Sequence, residues 1–222
     1  MIEKHKTDSA LGQRVKEHLI KIGVETPMDV AFYNQKLQVQ KIADHFGEIM
    51  KLLNLDLKDD SLRDTPNRVA KMYVNEIFYG LNYDNFPKAT VIENKMKYDE
   101  MVIEKDITSI SNCEHHFVVI DAVTHVAYIP NEKVLGLSKL NRIVDFFSKR
   151  PQVQERLTEQ VYYALQCILE TDNIAVVTEG VHYCVKSRGI RDTLSSTITS
   201  KMGGCFKTQD GSRKEFLSLV KK

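Results

Sequence analysis

Apolar residues recur at helical spacing from the start of the chain. Leu11, Val15, Leu19 and Ile22 predict one amphipathic helix, with Gly23 as its stop. Ile42, Phe46, Ile49, Met50 and Leu53 predict a second. A third is expected to open at Asp64-Thr65-Pro66, with Thr65 as N-cap and Pro66 as the first helical residue, and to run through Val69, Met72, Tyr73 and Ile77 to Gly80. Beyond that point the pattern shifts to runs rich in β-branched and aromatic residues, at 90–92, 101–103 and 117–129, the last closed by the turn signal Pro130-Asn131. Two helices are expected next. One starts near Ser138 and carries Leu140, Ile143, Val144 and Phe147; the other starts at Pro151 and carries Val153, Leu157, Val161, Leu165 and Ile168. Strands return at 174–178, 182–185 and 193–200, and a short helix spans 214–220. That order predicts an α+β fold, an antiparallel sheet with two helices on one face, preceded by a helical region. We expect the division at 1–80 and 81–222.

Composition narrows the class. With 42% hydrophobic and 27% charged residues the chain reads as an ordinary globular protein. A net charge of +1 gives no general field for nucleic acid or anionic lipid, so neither is expected as a partner. No apolar run reaches the roughly 20 residues of a membrane span, and no hydrophobic segment follows the charged start at 1–6, so a cytoplasmic location is expected. Of the four cysteines, Cys167 and Cys205 sit in apolar or glycine-flanked surroundings and read as small buried hydrophobes.

Cys113 and Cys184 have histidine company, in Cys113-Glu114-His115-His116 and His182-Tyr183-Cys184. Thiolate and imidazole are the ligands zinc prefers, and Cys113 and His116 have the spacing by which one turn supplies two of them. Read as a strand, His182 and Cys184 share a face. Five candidate groups compete for three or four positions, which suits a catalytic centre with spare histidines better than a closed structural one. Inert thiols and surface histidines are the bland alternative.

Cations cluster near these elements. Lys139 and Arg142 share a face at a helix start beside Ser138; Lys186, Arg188 and Arg191 follow Cys184; Arg68 and Lys71 lie on the third predicted helix. In a chain of near-zero net charge this suggests an anionic small molecule, plausibly a phosphate ester, against the alternative of solvated charged faces. Gln154 and Glu155 could face the donor edge of a guanine, although surface helices carry such pairs routinely.

Four motifs taken together carry a family resemblance: Cys113-Glu-His-His-Phe117, Gly136-Leu-Ser-Lys-Leu-Asn-Arg142, Arg150-Pro-Gln-Val-Gln-Glu-Arg156 and His182-Tyr-Cys-Val-Lys-Ser-Arg-Gly189. From about Asp56 onward the chain resembles GTP cyclohydrolase I of the bacterial type. The resemblance implies a zinc enzyme that converts GTP and water to 7,8-dihydroneopterin triphosphate and formate, the first step toward folate and related pterins. It implies Cys113, His116 and Cys184 as zinc ligands, and His115, His182 and Ser138 as groups that move protons. Gln154 and Glu155 would hold the guanine, and Arg68, Lys139, Arg142 and Arg188 the triphosphate. The implied fold is the tunnelling fold, in a homodecamer of two face-to-face pentamers with active sites at subunit interfaces. Rival readings are a pterin synthase or deazaguanine reductase of the same fold, against which the Cys/His/Cys set and the cations argue, and a structural-zinc or nucleic-acid-binding module, which would want a fourth ligand and a basic, aromatic-studded face.

Overall fold

The computed structural model describes residues 6–29 and 34–221. The extreme N-terminus, read above for a secretory signal, lies outside them. The chain forms two compact units, one of residues 27–79 and one that joins the N-terminal segment through Thr26 to residues 80–222.

The smaller unit is helical. Helix α2 (Gln35–Leu52) is capped by the Asn34 side chain, which accepts from the Leu37 amide at 3.0 Å. It packs on α3 (Thr65–Met72), which continues into a π-helical turn at Tyr73–Ile77. The cap of α3 is Asp64, one residue before the expected Thr65. The buried face of α2 matches the expected stripe only in part. Met50 is buried as expected and Ile42 and Phe46 are half-buried, but Ala43 and Gly47 join the buried face while Ile49 and Leu53 are exposed. Small residues face the partner because the helices come close; a Cβ on Gly47 would sit 3.8 Å from Pro66 Cγ.

In the larger unit, α1 (Ser9–Ile22) begins at the Asp8 cap and ends at Gly23, whose φ of 83° is the left-handed stop the sequence predicts. It buries Gly12, Val15 and Leu19. A mixed-length sheet is built from β2 (Val102–Thr108), β3 (Ser111–Cys113), β4 (Val119–Tyr128), β6 (Pro151–Gln152), β7 (Ile174–His182) and β8 (Thr197–Met202). Strand β4 pairs antiparallel with β2, β3 and β7, and β7 with β8; only the short β3–β6 pairing is parallel. A separate two-stranded sheet joins β1 (Val91–Glu93) and β5 (Lys133–Leu135). The class is α+β, as the sequence predicts.

The sheet is covered on both faces. Helix α5 (Gln154–Leu169) packs along β7 and β8, and α4 (Leu137–Ser148) packs on α5 and against β2. On the opposite face Ala127, Ala175 and Val177 lie under Phe206 of α7 (Gly204–Thr208) and Phe216 of α8 (Asp210–Val220). The segment at 182–185 departs from the expected strand: β7 ends at His182, which caps the one-turn helix α6 (Tyr183–Lys186). No helix among the described residues is long and apolar enough to cross a membrane.

A fully buried arginine anchors the chain between α4 and β6. Arg150 pairs with Glu25 at 2.9 Å, donates to Thr26 Oγ1 at 3.2 Å and to the Gly80 carbonyl, and lies over the rings of Tyr83, Phe146 and Phe147. Tyr83 in turn donates to Glu25. A charge taken this far from water persists only with a partner and hydrogen bonds.

Candidate metal centre

Three strand ends converge to make the site. Ile120, near the start of β4, lies opposite Ser111 of β3 on one side and His182 of β7 on the other. Cys113 closes β3 and is buried, with its amide donating to the Val118 carbonyl at 2.8 Å. The chain then turns back on itself. The amides of His116 and Phe117 both donate to the Cys113 carbonyl, and Phe117 takes a positive φ of 52° to complete the turn. Strand β6 holds this turn in place, Gln152 lying opposite Cys113 and its carbonyl accepting from the Glu114 amide at 2.9 Å. From the other side the first turn of α6 carries Cys184 round to the same point, where it packs with Cys113, Ile120 and Ala122.

The outcome is a donor cluster. The ligand atoms of Cys113, His116 and Cys184 all lie within 4.8 Å of one another. Tetrahedral zinc with these ligands separates its donors by about 3.6 Å, so one ion fits after small side-chain adjustments. Electrostatics agree. Burial and the adjacent Cys113 thiol hold the Cys184 thiol above its ordinary pKa. Two thiols so placed resist ionising together unless a cation joins them, and a metal supplies that charge. Three donors, short of four, is the complement of a catalytic centre.

Two histidines flank the cluster. His115 is exposed, its Nδ1 3.6 Å from Cys113 Sγ. His182 is half-buried, with Nε2 2.9 Å from Gln154 Oε1. Burial pushes its pKa below the ordinary histidine value, opposed by the nearby Glu155 charge. The turn is also tied to α5 by Glu114, which accepts from Arg156 at 2.5 Å. That hydrogen bond, helped by the guanidinium charge, holds the Glu114 carboxyl below the usual carboxylate range against the opposing effect of burial.

A protein-family model described as GTP cyclohydrolase I matches residues 42–221. The chain belongs to the GTP cyclohydrolase I family. It is 60% identical over 207 residues to "GTP cyclohydrolase 1" of Pectobacterium carotovorum, an alignment spanning 93% of this chain and 94% of that one. To the protein of the same name from Erwinia tasmaniensis it is 60% identical over 209 residues, covering 93% and 95% of the two chains. For that of Escherichia coli O1:K1 the identity is 58% over 209 residues, covering 93% and 94%.

Within this GTP cyclohydrolase I family chain, the remaining residues singled out from the sequence fall in different places. Glu155 is exposed on the first turn of α5, and its charge acts on His182. Arg188 is exposed beyond α6, and its charge acts on Cys184. Ser138, Lys139 and Arg142 occupy the start of α4 and make no side-chain hydrogen bond or ion pair with the cluster among the described residues. Arg68 lies on α3 in the smaller unit, exposed, 3.9 Å from Asp64. Gln154 is buried, with its amide turned to backbone carbonyls of β7 and β8. Sequence reasoning missed two supports, Gln152 and the Glu114–Arg156 pair. All three residues lie inside the quoted motifs, but their partners are defined only once β3, β6 and α5 are assembled.

Proposed function

We propose that this chain hydrolyses GTP to 7,8-dihydroneopterin triphosphate and formate, with zinc held by Cys113, His116 and Cys184. The observation that carries the reading is the convergence of two thiols and an imidazole within 4.8 Å, beside a half-buried histidine, in a chain of this family. When bound, zinc supplies a Lewis acid that makes water nucleophilic at neutral pH.

The chain's own groups do the rest. His182 protonates the ring nitrogen next to C8 of the guanine, making that carbon electrophilic; an imidazole titrates in the range this needs. Addition of one water opens the ring to a formamide, and a second water releases formate. Ser138 and His115 move protons while the ribose opens and rearranges. Reclosure through ribose carbons expels one water, so the net reaction consumes one. Glu155 accepts from the guanine N1–H and exocyclic amine, and it disfavours adenine, which would leave that carboxylate unpaired. Lys139, Arg142 and Arg188, with Arg68 from a neighbouring subunit, hold the triphosphate, which is not cleaved and serves for positioning.

The assembly follows the family: the tunnelling fold, sheets of neighbouring subunits joined into a barrel, and a decamer of two pentamers acting in the cytoplasm. Substrate choice tests the reading. GTP is consumed and ATP is not; equal turnover of both would contradict the role given to Glu155.

A further inference from the structure

Gln154 is the first residue of α5 and only 1% exposed. Its Nε2 donates to the carbonyl oxygens of Thr178 at 2.9 Å and Thr197 at 2.8 Å, with Thr199 Oγ1 at 3.3 Å. Both N–H donors of the carboxamide are therefore occupied. Backbone carbonyls only accept, so the nitrogen must face them; a flipped amide would set three oxygens against one another. The sheet thus fixes which end of the carboxamide points at His182, and that end is the oxygen, 2.9 Å from Nε2. An amide oxygen cannot donate. The hydrogen in this bond must come from the imidazole, so Nε2 carries it, and in the neutral ring Nδ1 is left as the acceptor. Nδ1 has no hydrogen-bond partner among the described residues.

A second feature of β7 belongs to the same arrangement. Gly180 lies between Thr178 and His182 on one face of the strand. A Cβ there would come within 2.7 Å of Gln154 Oε1 and 3.1 Å of the Ala122 Cβ. Glycine at this position leaves the space the carboxamide occupies.

We propose that Gln154 is a positioning residue for His182: its carboxamide, fixed by the Thr178 and Thr197 carbonyls and admitted by Gly180, holds the imidazole as the Nε2–H tautomer and presents Nδ1 to the substrate. This rests on the reading of His182 as the group that protonates the purine. With Nε2–H committed to Gln154, the proton given up is Nδ1–H of the imidazolium, and the neutral ring left behind is the Nε2–H tautomer. It gives Gln154 a task other than gripping guanine, since its donors are committed before any substrate arrives. The bond to the second ring nitrogen sets both tautomer and ring direction, so losing it costs turnover more than binding.

The test uses zinc-loaded protein labelled with 15N-histidine and solid-state NMR, with the His182 signals assigned by their absence in His182→Asn. In the unsubstituted protein, above the pH at which His182 titrates, Nε2 is expected to carry the proton; an Nδ1–H tautomer would overturn the proposal. Gln154→Met, which keeps volume and removes the polar atoms, is expected to mix the tautomers and lower kcat by up to about a hundredfold with KM for GTP little changed. Gly180→Ala, which removes no functional group but crowds the Gln154 oxygen, should shift tautomer and kcat the same way. A raised KM with kcat and tautomer unchanged in Gln154→Met would instead mean a guanine-gripping residue. If Gln154→Met does not fold, the tautomer of the unsubstituted protein and the Gly180→Ala kinetics still decide. Turnover of GTP by the unsubstituted protein is measured alongside, so that failure of the functional reading shows itself separately from a wrong tautomer.

Discussion

Beside Cys113, the Cys184 thiol is held above its ordinary pKa by burial and by its neighbour. A metal ion reverses that preference, because thiolate is the ligating form. Cys184→Ser should therefore lose zinc and activity together; full zinc occupancy with normal turnover would contradict its role as a ligand. The same proximity makes the metal-free protein sensitive to air. Oxidised after zinc removal, it should lose two free thiols to a Cys113–Cys184 disulfide; equal thiol counts before and after exposure would contradict this. Glu114 gives a pH-dependent counterpart. Its folded pKa is depressed, so the Arg156 pair stabilises fully above the ordinary glutamate value of about 4.3, and that contribution is lost as pH falls through the lower folded value. Arg156→Leu should move acid unfolding to higher pH, read by circular dichroism. Cys113, His116 and Cys184 could be singled out in the sequence because ligand chemistry restricts residue type. The task of Gln154 could not, because its partners at Thr178 and Thr197 are backbone carbonyls 24 and 43 residues away that any residue could supply.

Elements were legible where one signal dominated. For α1, the spacing of Leu11, Val15 and Leu19 and the left-handed Gly23 agree, and the helix ends where expected. On α2 the large apolar residues suggested a face that the structure keeps only in part: Met50 is buried, but Ile49 and Leu53 are turned out and Gly47 is the residue that faces Pro66. At 182–185 a separate strand was expected after the one at 174–178; β7 instead runs through to His182 and the chain turns into α6, and that turn brings Cys184 to Cys113. The link between α4 and β6 was illegible for a different reason. Arg150 finds Glu25 across 125 positions of sequence, and nothing local marks the pair. Arg150→Met leaves Glu25 with neutral donors only, takes the guanidinium from the Gly80 carbonyl, and should cost about 3–5 kcal/mol in denaturant unfolding. A loss of about 0.5 kcal/mol, typical of an exposed position, would contradict its anchoring role.

For the whole molecule, the α+β class follows from the order of elements, while assembly is a matter of surfaces that one chain does not pair with itself. If Arg68 serves a neighbouring subunit's site, Arg68→Ala and Cys184→Ser subunits, each inactive alone, should regain roughly a quarter of full activity when refolded together, because random mixing rebuilds that share of the sites. No recovery from well-assembled mixtures would place Arg68 in its own subunit's site. The central claim, that a Cys113–His116–Cys184 metal centre hydrolyses GTP, is tested most directly by measuring formate and dihydroneopterin triphosphate in one incubation, before chelation, after it, and after zinc is returned. The account predicts equal amounts of both products, lost on chelation and restored by zinc. Neither product from folded, zinc-loaded protein, or undiminished products from metal-free protein, would contradict it.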